Sequence, residues 1–242
     1  MDLYTASVVF LSGVFAWMLS TLAGGGGGTV FIPVTGLFLP ITAITPATSI
    51  AGSLSSVQRF FLYLKSINWE LARLTVPFMI LGSFSGAYLF SRLDHKSLSL
   101  LLAGFYLVNG VWSLFTKITF RVRKWHFPIA GFISAYLSGQ IGVGGPFMNP
   151  FYINYGVRKE EMLGTKAVSL MAIQTTKVLT YAYFGVFTKE IALIGLTAGC
   201  GAFAGNLIGK KLLKKISDRL FRVLINLLLI VCAFIILKKY WF

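Results

Sequence analysis

The chain has 242 residues, 56% of them hydrophobic and 12% charged, and a soluble domain carries about twice that charged share, so a soluble globular protein is excluded. The formal net charge is +15. No basic tail or RNA-reading motif accompanies it, so the excess reads as Lys and Arg gathered in loops on one face of a membrane, not as a nucleic-acid surface.

The apolar residues fall into blocks, most of them long enough to cross about 30 Å of hydrocarbon as a helix. The first, Tyr4–Leu22, lacks a basic flank ahead of it and reads as a retained span, not a cleaved leader. Gly24 to Gly28 follow, five consecutive glycines that lose too much backbone entropy to hold a helix. A short apolar segment comes next, at Thr29–Leu39. Spans are then predicted at Ile44–Leu64, Trp69–Phe90, Leu98–Phe115 and Phe127–Leu137. A second glycine cluster, Gly142, Gly144 and Gly145, leads into a second short segment, Phe147–Tyr155, with Pro146 at its expected first turn. The remaining spans are Met162–Phe184, Ile191–Ile208 and Leu220–Leu237. Cys200 and Cys232 lie within spans without metal-ligand spacing and read as buried hydrophobes, so no metal or cofactor is expected.

The chain repeats itself. Residues 25–33, GGGGTVFIP, align with residues 142–150, GVGGPFMNP. Thr48 then falls on Thr165, Gly82 and Gly86 on Gly201 and Gly205 after a small shift, and Asp94 near Asp218. The expected fold is an all-α polytopic membrane protein of two repeats, 1–120 and 121–242. Each is a broken, re-entrant helical hairpin plus three transmembrane helices. Irregular backbone at membrane depth is tolerated only inside protein or beside a water-filled cavity, and repeated halves are common in secondary transporters. With three spans and a hairpin per half, the second half is inverted. The loops at 65–73, 117–126, 158–159 and 209–219 then carry 13 Lys and Arg on one side, against 5 on the other. One net crossing per broken segment would divide them 9 against 9. The positive-inside rule favours inversion and puts the N-terminus outside a plasma (inner) membrane.

Two cations fall inside spans at near-equivalent places: Arg59, eleven residues past Thr48, and Lys177, twelve past Thr165. A charge at that depth usually faces a cavity or a partner. Each has a second reading, snorkelling: Arg59 toward Lys65 about 9 Å along the helix, and Lys177 toward the helix end about seven residues away. The acids Asp2, Glu70, Asp94, Glu160, Glu161, Glu190 and Asp218 all fall at predicted helix ends or loops. Two buried cations without carboxylates call for an anion. Backbone amides at Gly26, Gly27, Gly28 and Thr29, and at Gly144, Gly145 and Phe147, start short helices whose positive dipole ends would point inward. Thr48, Ser49, Gln58, Thr165 and Gln174 could hydrogen-bond the anion's oxygens or serve as ordinary helix contacts. Lys166 either reaches the anion or faces headgroups. Asn149 and Asn154 flank the second short helix without a rank. His95 and His126 lie in loops, and no catalytic constellation forms within the spans, so no enzyme is expected. Nor is there an ATP-binding phosphate loop.

The paired G-x-G-G motifs followed by proline, one in each half, resemble those of the TauE/SafE family of membrane sulfite exporters. The second copy departs slightly, with Val143 and Pro146 interrupting the glycines. The resemblance implies the substrate class, sulfite, a sulfonate or a related sulfur-containing anion, while the repeat and the buried cations point to a secondary transporter that binds it at the midplane between the two glycine-rich tips. The alternative is a non-transporting membrane subunit whose basic loops dock a soluble partner. The partners expected are the anion and the lipid bilayer, with no nucleic acid; a homo-oligomer is left open.

Overall fold

The computed structural model describes residues 2–23, 26–115 and 121–212. All the regular structure among them is helical. In chain order the helices are α1 (Leu3–Ala23), α2 (Gly28–Thr35), α3 (Ile41–Tyr63), α4 (Trp69–Phe90), α5 (His95–Phe115), α6 (His126–Ile141), α7 (Asn149–Tyr155), α8 (Lys159–Tyr183) and α9 (Lys189–Leu212). Short 3₁₀ turns occupy Leu64–Ser66 and Gly145–Met148. The span expected at Leu220–Leu237 lies outside the described residues, as do Asp218 and Cys232.

The two short segments are shorter than the apolar pattern predicts. The first helix of this kind stops at Thr35, where 39 was expected, and the second opens with a 3₁₀ turn before α7 begins at Asn149. Several helices begin or end where local chemistry fixes them. The Asn68 side chain accepts from the Leu71 amide (3.0 Å) and caps α4, with Glu70 in its first turn. Helices α6 and α7 end at Gly142 (φ +77°) and Gly156 (φ +87°), a left-handed conformation that favours glycine.

Three described helices are long and apolar enough to cross a membrane: Leu3–Leu22, Trp69–Phe90 and Lys189–Leu212. Helices α3 and α8 are as long but carry many hydroxyl, amide and basic side chains, and most of these are buried. Burial against protein is what such side chains require in hydrocarbon. The packing explains how they obtain it. Helix α3 packs on α8; α3 also packs on α9, and α9 on α1; α8 packs on α4, and α4 on α6. The polar pair therefore occupies the middle of the order α1–α9–α3–α8–α4–α6, flanked by the apolar helices.

The basic loops come to one end of the bundle. Asn68 bonds Glu161 (2.6 Å) and, through its amide, Thr165 (3.0 Å). Lys124 is ion-paired with Glu70, whose carboxylate raises the pKa of the Lys124 ammonium above its ordinary value. Lys210 stands 5.7 Å from the centre of the Tyr63 ring. At the opposite end, α4 and α8 meet through Phe90–Tyr181 and Tyr88–Phe184 ring contacts.

Candidate functional site

The two glycine turns touch. A Cβ built on Gly28 would lie 2.7 Å from the Gly142 carbonyl oxygen, and one on Gly26 would lie 4.0 Å from Gly145 Cα. Each turn also lies against the helix that precedes it. A Cβ on Gly27 would fall 2.3 Å from the Trp17 ring of α1, and one on Gly144 would fall 2.0 Å from the Ser134 carbonyl oxygen of α6. Gly27 and Gly144, and likewise Trp17 and Ser134, are separated by the same 117 residues as the aligned glycine clusters. The Ser134 hydroxyl donates to the Gly144 carbonyl (2.8 Å). Glycine is needed at 27 and 144 because no side chain fits between turn and helix. That is a packing reason, distinct from close approach of substrate.

Beside the second turn lies a small cavity. Its walls are Ser134 and Ser138 of α6, Gly144 and Gly145, Met148, Tyr152 of α7, Met79 of α4, and Lys166, Ser169, Leu170 and Ile173 of α8. About 20 Å³ is open to the centre of a water-sized sphere, and a single water needs roughly 10–15 Å³ on that measure. The space takes ordered water, and a four-atom oxyanion needs the walls to move. Lys166 is 5% exposed, and its ammonium donates to the Gly145 carbonyl (3.1 Å) and to Asn149 Oδ1 (2.5 Å). Tyr152 is fully buried, and its hydroxyl has a weak interaction with Ser169 but no hydrogen bond of ordinary geometry among the described residues. Phe147 packs on Phe151 at the edge of this turn.

Arg59 stands in a different setting. Its Nε donates to Asn206 Oδ1 of α9 (2.9 Å), and its Nη2 donates to the hydroxyls of Ser20 (3.0 Å) and Thr21 (2.9 Å) and to the Trp17 carbonyl (3.4 Å). Asn206 in turn donates to Ser55 (2.9 Å) and to Gln58 Oε1 (2.8 Å), while Gln58 donates to the Phe203 carbonyl (3.1 Å). This is a polar clasp joining α1, α3 and α9. Snorkelling does not describe it, since Arg59 is 5% exposed and points into protein. Asn206 is its hub and was missed by the sequence reading. A lone carboxamide among the small and apolar residues of α9 was the available signal.

The other candidates are dispersed. Thr48 of α3 reaches the second turn, with its Oγ1 3.3 Å from a Cβ built on Gly142, and donates to the Thr45 carbonyl (2.6 Å). Ser49 donates to the Pro46 carbonyl (2.6 Å). Thr29 is buried with no hydrogen bond to its hydroxyl among the described residues. Thr165, the counterpart of Thr48 in the alignment, instead accepts from the Asn68 amide at the basic end. Gln174 covers Gly52 of α3, its Nε2 2.4 Å from where a Cβ would be, and its Oε1 makes no hydrogen bond among the described residues. Lys177 has no exposed surface, and its ammonium makes no hydrogen bond among the described residues. It lies on α8 one turn beyond Ile173, which lines the cavity, and one turn before Tyr181, whose hydroxyl donates to the Gly139 carbonyl (2.5 Å). Among the described residues no cluster of His, Cys, Asp and Glu suited to a metal ion is found.

A helical membrane protein whose two most polar helices are central, with the buried Lys166 held at one of two touching glycine turns, has the form of a transporter core. The model of the TauE/SafE sulfite exporter family matches residues 9–236, and the chain belongs to that family. The family's members transport sulfite or related anions across membranes and are not enzymes. No match was found among the curated proteins or among the solved structures.

Proposed function

We propose that this chain is a secondary transporter that carries sulfite or an organosulfonate out of the cell across the plasma membrane. In this reading it is built as two inverted repeats, 1–120 and 121–242, with its N-terminus outside. The substrate is held near the membrane midplane where the two glycine turns meet. The observation that carries the reading is the contact of Gly26 and Gly28 with Gly145 and Gly142, next to the buried ammonium of Lys166. Two chain breaks placed against each other beside a cation supply irregular, partly solvated backbone and positive charge in one location, which is what a small anion leaving water requires.

Within the described residues, Asp2, Glu70, Asp94, Glu160, Glu161 and Glu190 stand at or near helix starts. A proton relay through carboxylates therefore has no support, and facilitated exit driven by the membrane potential is the simplest mechanism. An inside-negative potential favours anion exit by about 2.3 kcal/mol per charge per 100 mV. The test is sulfite efflux from proteoliposomes containing only this chain. Potential-dependent flux above that of protein-free vesicles is expected, and flux equal to the protein-free value would reject transport.

A further inference from the structure

We infer that the polar groups holding the anion come from the second half of the chain alone, in the cavity beside the 142–145 turn, with Lys166 supplying charge and the Tyr152 hydroxyl a hydrogen bond. The corresponding space of the first half is filled by Trp17 and Phe31. This rests on the anion-transport reading and goes beyond it, since that reading treats the two turns alike.

The second-half cavity has the required chemistry. Lys166 is buried and held by the Gly145 carbonyl and Asn149 Oδ1. Both acceptors are neutral, so they orient the ammonium without cancelling its charge. The Tyr152 hydroxyl lines the same cavity beside Ser169, with which it interacts only weakly, and it makes no hydrogen bond of ordinary geometry among the described residues. A buried hydroxyl without a good partner is unfavourable, and an oxyanion oxygen would relieve it. Met79 and Met148 form part of the wall. Methionine is unbranched and repacks readily, so these are the side chains that yield when an anion larger than water enters.

The first half lacks each of these features. At the 117-residue offset, Trp17 stands for Ser134, Phe31 for Met148 and Ser49 for Lys166. Trp17 and Phe31 are 3% and 0% exposed and meet edge to face with ring centres 5.6 Å apart. They occupy the volume that Ser134 and Met148 leave open. Ser49 carries no charge and turns its hydroxyl to the Pro46 carbonyl. The basic side chain of α3, Arg59, is engaged by the clasp to α1 and α9.

The experiment measures sulfite affinity of the full chain in nanodiscs of neutral lipid, under anaerobic conditions, together with thermal melting with and without sulfite. Tyr152→Phe is expected to weaken sulfite binding at least fivefold and to shrink the sulfite-induced rise in melting temperature. Its melting temperature without sulfite should change little, because the hydroxyl lost has only a weak interaction with Ser169. Lys166→Gln is expected to weaken binding more than tenfold, and Lys124→Gln, at the exposed basic end, to leave it unchanged. Wild-type affinity in Tyr152→Phe overturns the assignment, and this holds even where Lys166→Gln fails to fold. Sulfite flux by the wild type alongside unaltered affinity in Tyr152→Phe would leave transport standing and remove only this site, whereas absence of wild-type flux would remove the transport reading itself.

Discussion

Arg59 and Lys177 carry the same charge in comparable places on α3 and α8, yet their surroundings differ. Arg59 donates to a carboxamide, two hydroxyls and a backbone carbonyl, whereas Lys177 makes no hydrogen bond among the described residues. The two substitutions should therefore separate. Arg59→Gln removes hydrogen bonds from a charged donor, each worth about 1.5–3 kcal/mol, and leaves Asn206, Ser20 and Thr21 short of a partner. It is expected to lower the melting temperature substantially, and a melting curve like that of the wild type would show that the clasp contributes little. Lys177→Met conserves volume while removing a buried charge. It should melt higher than the wild type and reduce anion flux at least tenfold; unchanged flux would mark Lys177 as uninvolved in the path. The sequence exposed both cations because charge inside an apolar block is conspicuous. It did not expose Asn206 or Tyr152, because an amide or a phenol in such a block is common and only the fold shows whether its polar atom has a partner.

At the scale of elements, the glycines of α4 and α9 have matching roles. A Cβ on Gly82 or Gly86 would fall 2.3 Å and 2.1 Å from the carbonyl oxygens of Phe132 and Tyr136 on α6. On Gly201 or Gly205 it would fall 2.3 Å from those of Phe10 and Val14 on α1. Small residues let membrane helices approach this closely. Gly86→Leu and Gly205→Leu are each expected to separate a helix pair and reduce the yield of folded protein, while Ser85→Ala, whose hydroxyl bonds within its own helix at the Leu81 carbonyl, should not. Full yield of both leucine variants would contradict the packing. Most spans were legible because 20-residue apolar blocks leave few alternatives; α4 was placed at its observed bounds. The short segments after each glycine break were less so. Nothing in an apolar run announces that Gly145–Met148 tightens into a 3₁₀ turn, since that follows from docking on Ser134 and on Lys166.

For the whole molecule, the packing order α1–α9–α3–α8–α4–α6 reads the same when each half is exchanged for the other. Counting the short helices, the first and fourth helices of opposite halves pair, and the polar third helices meet at the centre. Transporters built from repeats alternate their access by rocking one half against the other, and the proposed transport mechanism draws on that motion. The partition of basic loops suggested this arrangement from sequence alone, but the unequal filling of the two halves, Trp17 and Phe31 against Ser134 and Met148, required side-chain packing to see. The most direct test of the account is sulfite efflux from liposomes holding the purified chain, with voltage, pH and Na⁺ gradients imposed one at a time. Efflux is expected to follow voltage and to be lost in Lys166→Gln. Efflux indistinguishable from protein-free liposomes under every gradient would contradict it.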